Sequence, residues 1–205
     1  MQKEQKIDGF TLIEMLIAMV VLTASAGGLL GLQYILSQNQ ILILSSYKNE
    51  NDASQTVTSF SREIRSAKTS DSGSYPLEIA NDSEIAFYSD IDFDGKTERV
   101  RYFLTGTQLS KAITKPTDYP VSYPAGQEKV SVVATDIRNG TAPVFYYYNS
   151  DWPVDTQNNP LSSQNRLANT RSVKMSLKVN KTANESDKDF LVESGVQIRM
   201  LKDNL

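Results

Sequence analysis

Acidic residues recur at alternate positions in the stretch "SDIDFDGKTERVR", residues 89–101. Alternating carboxylates that converge on one ion open an EF-hand calcium loop. The residues that match this opening are Asp90, Asp92, Asp94 and Gly95. The twelfth position should be a bidentate glutamate, but it is Arg101 here, and Glu98 lies at the ninth position. These four acids are therefore calcium candidates in a loop that departs from the EF-hand pattern.

The same stretch also fits a β-hairpin that needs no metal. With Asp94-Gly95 as a two-residue turn, Phe93 faces Lys96. One face of the hairpin then carries a coherent apolar set, namely Ile85, Phe87, Val100, Tyr102 and Leu104. On the other face Asp90 lies opposite Arg99, which makes a cross-strand pair of opposite charges. We therefore predict a hairpin without a cofactor, and calcium is the alternative.

The amino-acid composition excludes most common catalytic mechanisms. The 205 residues include no cysteine and no histidine, which excludes disulfides, thiolate zinc sites and Ser-His-Asp catalysis. Carboxylate chemistry such as glycoside hydrolysis stays open by residue type alone. The net charge is −3, and no dense basic cluster occurs. We predict that the protein is not an enzyme, with no small-molecule substrate and no direct nucleic-acid partner.

A long apolar segment lies near the N-terminus. No residue from Met15 to Tyr47 is charged, and residues 10–36 are mostly Leu, Ile, Val, Met, Ala and Gly. As a helix, this segment would be about 40 Å long, whereas a bilayer core is about 30 Å thick. Glu14 lies near its start, and a carboxylate in lipid costs about 3 kcal/mol. The segment is predicted to cross a membrane, and Glu14 needs a partner or a function.

An ordinary secretory signal peptide is one explanation of this segment. Ala24-Ser25-Ala26 matches an A-x-A cleavage pattern after an apolar stretch. The chain would then be a secreted binding module released after Ala26, with Trp152 as a candidate binding residue. However, the first nine residues, "MQKEQKIDG", mix acids with lysines, and the apolar pattern resumes after Ala26 as "LLGLQYIL".

A second explanation comes from resemblance. The stretch "GFTLIEMLIAM" resembles the prepilin processing motif of type IV pilins and type II secretion pseudopilins. The resemblance implies that prepilin peptidase removes a leader of residues 1–9, cutting between Gly9 and Phe10, and N-methylates Phe10. It implies that Glu14 neutralises the new α-amino group of a neighbouring subunit during assembly. Such leaders usually end in a basic residue before the glycine, and this one has Asp8.

The resemblance also implies partners and a location. The partners are prepilin peptidase, the membrane and other pilin or pseudopilin subunits, which pack through the N-terminal helix. The chain would be a single-pass protein of the cytoplasmic (inner) membrane with its head outside the cytoplasm, and it would join a pilus or pseudopilus after assembly.

Periodicity predicts one long helix followed by a β-rich head, an α+β fold. The helix spans residues 10–68, with a transmembrane and assembly part at 10–36 and an amphipathic part at 37–68. Apolar residues at helical spacing form one face of the second part, namely Val57, Phe60, Ile64 and Ala67, while Arg62, Glu63, Arg65 and Lys68 point elsewhere. The head spans residues 77–205. Its predicted strands are Glu84–Phe93, Lys96–Leu104, Lys129–Ile137, Val144–Tyr148, Val173–Val179 and Leu191–Leu201, with a turn at Asn139-Gly140.

The head carries a second resemblance. In order, "EIAFYSDIDFDGKTERVRYFL", "LSKA", "PVFYYY" and "RSVKMSLKV" resemble J-type minor pseudopilins and PilW-like minor pilins. This implies a scarce structural subunit that takes part in assembly or initiation of a pilus or pseudopilus. Two long polar loops, residues 115–128 and 149–170, have no assigned role, and Trp152 in the second either tucks that loop onto the head or anchors a partner.

Overall fold

The computed structural model describes residues 9–180 and 189–201, and for residues 39, 41–43, 45 and 46 it describes the backbone alone. The fold is α+β, as predicted: a long helix, α1 (Leu12–Arg65), precedes a head of antiparallel strands. The chain divides into two compact units, residues 1–45 and 46–205, and α1 contributes to both. Apart from Gly9, the predicted leader lies outside the described residues.

The first unit consists, where described, of the apolar half of α1. Leu12–Gln38 is a stretch of 27 residues with mean hydropathy 2.1, and none of it is buried inside the protein. Two polar side chains within it bond to the helix itself: Thr23 Oγ1 donates to Met19 O (2.9 Å) and Ser25 Oγ donates to Val21 O (2.7 Å). Because these hydroxyls are satisfied internally, the turns of α1 that carry Thr23 and Ser25 can face lipid.

The second unit begins with the amphipathic half of α1. The predicted apolar face is buried at Val57, Phe60 and Ile64, and Ala67, just past the end of the helix, is buried as well. One prediction about the polar face is wrong, because Glu63 is buried. Tyr102 Oη donates to its carboxylate (2.8 Å), and Lys111 forms an ion pair with it.

Five antiparallel strands in sequential order form the larger sheet of the head. They are β1 (Leu77–Ala80), β2 (Glu84–Ser89), β3 (Glu98–Thr105), β4 (Gln108–Thr114) and β5 (Lys129–Ala134). The sequence patterns did not predict β1 or β4. Two predicted strands extended too far, since β2 ends at Ser89 and β5 ends at Ala134.

A three-stranded antiparallel sheet completes the head. Its strands are β6 (Phe145–Tyr148), β7 (Ser172–Val179) and β8 (Phe190–Gln197), and a short helix, α2 (Arg166–Asn169), lies between β6 and β7. The predicted last strand is therefore too long at its C-terminal end. The Asn139-Gly140 turn is present, with Gly140 at φ 61° and Ala142 N donating to Asn139 O (3.0 Å), but it joins strands of different sheets.

Both sheets share one core with the second half of α1. Phe60 is fully buried, and its ring contacts Phe87 and Tyr102 of the larger sheet and Phe145 of the smaller one, at centroid distances of 6.1, 5.4 and 5.6 Å. Ser61 Oγ donates to Ser194 Oγ on β8 (2.9 Å). Val57, Phe60 and Ile64 are three and four residues apart, so they lie on the same side of α1. This one face of the helix packs against both sheets.

The predicted two-residue turn at Asp94-Gly95 is wrong. Ile85 pairs with Tyr102 and Phe87 with Val100, so β2 and β3 are joined by an eight-residue loop, residues 90–97. The pairing differs from the prediction by two residues. A shift of two preserves the face on which each side chain lies, so the predicted apolar face is correct, although Leu104 is only half-buried. The predicted Asp90–Arg99 pair does not form, because Arg99 lies opposite Tyr88.

The loop at residues 115–128 covers the outer face of the larger sheet. Tyr123 packs on Tyr88 with ring centroids 5.1 Å apart, and its hydroxyl donates to Thr97 O (2.8 Å). At the end of the loop, Glu128 accepts hydrogen bonds from Arg101 Nε (2.9 Å) and Nη2 (2.7 Å). This cover explains why β2, an inner strand next to the edge strand β1, is buried on both faces.

The loop at residues 149–170 is held close to β6. The ring of Trp152 packs against Tyr148 with centroids 4.6 Å apart, although 41% of the Trp152 residue surface stays exposed. Asn159 Nδ2 donates to Asn149 Oδ1 (2.7 Å) and to Asp155 O (2.9 Å), which closes the loop on itself. Trp152 thus tucks the loop onto the head, as the first of its two predicted roles requires.

Candidate functional site

The N-terminal site is built by the first turn of α1. Glu14 reaches back to the residue before the helix: Thr11 N donates to Glu14 Oε2 (2.9 Å), and Thr11 Oγ1 donates to the same oxygen (3.0 Å). In return, Glu14 N donates to Thr11 Oγ1 at 3.4 Å. This reciprocal pattern is a capping box, which satisfies backbone donors that a helix start leaves unpaired.

The sequence already contained the signal for this cap. A threonine followed three residues later by a glutamate, just before an apolar run, is the pattern of a capping box. The resemblance implied an assembly role for Glu14, and this local role was not predicted. The cap gives the carboxylate a satisfied position within a single chain, at the start of a helix that can span a bilayer.

The two residues at the predicted cleavage position precede this helix. Gly9 and Phe10 lie outside any helix or strand, and both are exposed, Phe10 at 85%. A side chain at Gly9 would meet nothing within 4 Å. The fold of the described residues therefore makes no demand for glycine at position 9, and the bond between Gly9 and Phe10 is open to an enzyme.

A second candidate site lies in the β2–β3 connection. We call residues 90–98 the acidic loop. Asp90, Asp92 and Glu98 each bring a carboxylate oxygen to a place where these oxygens lie within 4.8 Å of one another. Asp90 and Glu98 stand at the two ends of the loop, and the local backbone turns sharply at Phe93 (φ 61°) and Gly95 (φ 90°). The turn folds the loop back so that its ends meet.

Backbone donors hold the acidic loop in this shape. Ile91 N donates to Glu98 Oε2 (3.1 Å), Gly95 N donates to Asp90 Oδ2 (3.2 Å), and Lys96 N donates to Asp94 Oδ1 (2.8 Å). Two lysines approach the loop from outside it. Lys68 Nζ lies 3.6 Å from Asp90 Oδ2, and Lys115 Nζ lies 2.6 Å from Asp92 Oδ2.

Two buried oxygens of this loop have no hydrogen-bond partner among the residues the structure describes: Asp90 Oδ1 and Glu98 Oε1. The Glu98 side chain is fully buried, with 0% of its surface exposed. Burial raises the pKa of the Glu98 carboxyl, and the charges of Asp92 and Asp94 raise it further. The hydrogen bond from Lys115 lowers the pKa of Asp92.

The structure thus brings together three of the four predicted calcium candidates. Asp94 is outside the group, and its carboxylate Oδ2 lies 3.5 Å from Lys115 Nζ. Arg101, at the position where an EF-hand places its last ligand, lies instead on the outer face of the sheet with Glu84 and Glu128. Glu98 supplies a carboxylate from the ninth position. The flanking elements are strands, so the loop is not an EF-hand.

Glu63 forms a buried polar cluster that sequence analysis did not foresee. Its carboxylate is bonded to the Tyr102 hydroxyl and to the Lys111 ammonium. Burial raises the pKa of Tyr102 strongly, and the nearby Glu63 charge raises it further. Because every partner in the cluster is satisfied, we interpret it as a structural ion pair within the core.

Comparison with known proteins gives a finding for the N-terminal site. A family model described as the prokaryotic N-terminal methylation motif matches residues 5–30. The match covers 26 of the 205 residues and supports the type IV pilin and pseudopilin superfamily. The motif is typical of pilin-like proteins that prepilin peptidase processes and that assemble with other pilins. Proteins of this kind are structural and not enzymatic. The curated proteins contain no significant match to the chain.

Proposed function

We propose that the chain is a minor pilin-like subunit that takes part in assembly or initiation of a type IV pilus or a type II secretion pseudopilus. One observation carries this proposal: the methylation motif, residues 5–30, overlaps the exposed apolar segment of α1, the 27 residues Leu12–Gln38. A helix of this length spans a bilayer or packs among identical helices. The head then supplies the surface that meets partner subunits.

In the proposed processing step, prepilin peptidase cuts between Gly9 and Phe10 and methylates the nitrogen of Phe10. The exposure of both residues, ahead of the capped helix, is compatible with access by a protease. Cleavage creates an α-amino group at Phe10, which is a cation four residues before Glu14. The mature chain therefore begins with an amine and a carboxylate close to one end of the span.

Glu14 is the proposed assembly residue. In a single subunit its carboxylate accepts two hydrogen bonds from Thr11. A further interaction with the α-amino group of a neighbouring subunit would add a full charge pair, and unpaired ions are expensive at membrane depth. Pairing two subunits in this way favours docking over the isolated state and fixes the axial offset between adjacent helices.

The assignment to a minor, J-type subunit rests on the resemblance of the head strands and loops. In the same proposal the chain is inserted once in the cytoplasmic membrane, with the head outside the cytoplasm. Its partners are prepilin peptidase and other pilin or pseudopilin subunits. Nucleic acid would be met only indirectly, through a DNA-uptake pilus.

A secreted binding module is the second candidate, and the A-x-A pattern at Ala24-Ser25-Ala26 favours it. Cleavage after Ala26 would cut α1, which runs without interruption from Leu12 to Arg65. The methylation motif also matches residues on both sides of that bond. These two observations make the pilin-like subunit the better-supported function.

Membrane retention with and without a cleavable leader separates the two functions. We expect wild-type protein and the Gly9→Val variant to stay in the membrane pellet after alkaline extraction, because both keep Leu12–Gln38. Only the wild type should lose its leader, since Gly9→Val disturbs no contact in the fold and acts on peptidase recognition alone. Release of both forms into the soluble fraction would contradict the proposal and support the secreted module.

A further inference from the structure

The acidic loop contains two buried carboxylate oxygens that lack a partner among the described residues, Asp90 Oδ1 and Glu98 Oε1. A buried carboxylate oxygen without a partner is costly, because water is lost and nothing replaces it. The Glu98 side chain is fully buried at the start of β3, although residues 92–96 of the same loop are exposed, so the protein has built an enclosed position for an acidic group. This arrangement points to a missing electropositive partner.

The spacing of the oxygens suits one ion. Calcium binds oxygen ligands at about 2.3–2.6 Å, so ligands on opposite sides of the ion lie about 4.6–5.2 Å apart. One carboxylate oxygen from each of Asp90, Asp92 and Glu98 lies within 4.8 Å of the other two. A single ion can therefore contact all three without a change in the course of the backbone.

We propose that the acidic loop is a calcium site, in which Asp90, Asp92 and Glu98 bind the ion directly. The ligand types favour calcium over other common metals. Zinc prefers nitrogen and sulfur, and the chain has no histidine and no cysteine. Magnesium requires near-ideal octahedral geometry and gives up its water reluctantly, whereas calcium accepts irregular sets of carboxylates, carbonyls and water. Three carboxylates on an irregular loop fit calcium best.

Lys115 occupies the approach to this site. Its ammonium lies 2.6 Å from Asp92 Oδ2, 3.5 Å from Asp94 Oδ2 and 3.9 Å from Glu98 Oε1. The single positive charge of Lys115 is therefore shared among three carboxylates. Its ammonium lies too far from Glu98 Oε1 to form a hydrogen bond with it. The Lys115 side chain is 58% exposed, so it can swing into solvent. Lys115 competes with calcium and partly neutralises the loop without it.

Calcium binding would fix the loop tip as well as its ends. Phe93 lies between the ligands with 82% of its surface exposed. It lines a surface groove together with Arg62 and Arg65 of α1 and Arg199, which follows β8. An ion bound to Asp90, Asp92 and Glu98 closes the backbone on both sides of Phe93. Occupancy of the site therefore sets the position of an exposed aromatic side chain.

Titration of the full chain in detergent micelles with calcium chloride tests the proposal. We expect one site with a Kd of about 10⁻⁴–10⁻³ M, the range of extracellular calcium modules. Calcium at ten times the Kd should raise the Tm of the head by about 3–5 °C. Magnesium chloride at the same concentration should give a smaller shift. Absence of both binding heat and a Tm shift at 10 mM calcium, about ten times the top of that range, would overturn the proposal, and equal binding of magnesium would overturn the choice of ion.

Variants at the loop identify the ligands. Asp92→Asn, at an exposed residue, should weaken binding at least tenfold, because it removes a charged ligand. Asp118→Asn is the matched control: Asp118 also pairs with a lysine, Lys96, at 2.8 Å, but it lies outside the cluster. It should leave the Kd within twofold. Unchanged binding by Asp92→Asn would contradict the assigned site.

Lys115→Gln is expected to increase the affinity for calcium, and a folding defect would not produce that increase. Removing the competing ammonium should tighten calcium binding about fivefold and lower the Tm measured without calcium. A calcium affinity that stays the same or falls would contradict the role of Lys115. The calcium proposal rests on the loop geometry alone, so its failure would leave the pilin-like function intact.

Discussion

At the residue scale, Glu14 has two partners available at different stages. Within one chain it closes the capping box with Thr11. In the proposed assembly it meets the amine of another subunit. Both interactions use the same carboxylate, but only the second depends on its charge, since an amide oxygen can also accept a hydrogen bond from Thr11.

This difference predicts the behaviour of three variants. Glu14→Gln keeps an acceptor for Thr11 and removes the charge, so it should insert in the membrane, be cleaved after Gly9, and fall at least tenfold in the filament fraction of native cells. Glu14→Ala should fail in the same way. Immunoblots of sheared filaments and membranes, compared for equal total protein, measure this fraction.

Thr11→Ala is the matched control for the local role. It removes the side-chain part of the cap, which is worth about 1 kcal/mol of helix stability, and leaves the Glu14 charge in place. We expect near-normal assembly of Thr11→Ala. Normal assembly of Glu14→Gln, or failure of Thr11→Ala with the same severity, would assign Glu14 to helix capping instead of subunit docking.

The role of a residue could be predicted when the residues that define it lie close together in the sequence. Gly9, Phe10 and Glu14 were selected from one continuous stretch, and the methylation motif match covers that stretch. Glu63 was misassigned because its partners, Tyr102 and Lys111, come from β3 and β4, which are 39 and 48 residues away in sequence. A charged residue beside an apolar helix face gives no sign of a distant lysine.

At the scale of elements, periodic patterns predicted α1 and the core-facing sides of β2 and β3. Two strands escaped prediction for physical reasons. β1 has only four residues and lacks the aromatic run that marks the equally short β6, and β4 contains the polar residues Ser110 and Lys111, of which Lys111 pairs with the buried Glu63. The lysine of the buried ion pair interrupts the apolar pattern of β4, so that pattern did not predict a strand. Turn chemistry at Asp94-Gly95 predicted the correct faces and the wrong register, because pairing stops at Ser89 and Glu98 and leaves an eight-residue loop between the strands.

The outer face of the larger sheet carries an ion network that cannot be read from sequence. Arg101 pairs with Glu84 (3.0 Å) and Glu128 (2.7 Å), and Arg99 pairs with Glu78 (2.7 Å) and Glu128 (3.3 Å). The hydrogen bond from Arg101 is the main cause of a lowered pKa at Glu128. Glu128 thus fastens the end of the 115–128 loop to β3.

This network predicts a pH dependence of stability. Because the folded pKa of Glu128 lies below its unfolded value of about 4.3, the stabilisation is present above that pH and is lost as pH falls through the folded pKa. Arg101→Gln should lower the free energy of unfolding at pH 7 by about 1–2 kcal/mol, allowing for partial solvent screening. The difference from wild type should shrink below pH of about 4. Urea unfolding of the full chain in detergent at both pH values measures it.

Lys96→Gln is the control for this prediction. Its partner Asp118 is 91% exposed, so the Lys96–Asp118 pair should contribute no measurable stability at either pH. A difference between Arg101→Gln and wild type that is constant with pH would show that Arg101 acts through packing on Phe103, whose ring centroid lies 4.1 Å from its guanidinium carbon, and not through Glu128.

At the scale of the whole molecule, the proposed function requires a membrane or assembly helix and a folded head, and each lies in a different unit. Residues 12–38 offer an apolar surface that no part of the protein buries, which suits lipid or other helices. The second unit, residues 46–205, contains the head and the second half of α1, and one face of α1 shares a core with the two sheets. The α+β organisation was predictable because the period of the apolar pattern changes between the two. The packing of two separate sheets on one helix face was not, since it rests on contacts between distant strands.

The mature N-terminus tests the central claim most directly. Peptide mass spectrometry of the protein from native membranes should find a chain that begins at Phe10 and carries one methyl group on its α-nitrogen. That result would establish prepilin processing and place the amine required by the Glu14 proposal. A chain that begins at Gly27 would contradict the account, because it would lack the motif, Glu14 and most of the membrane span.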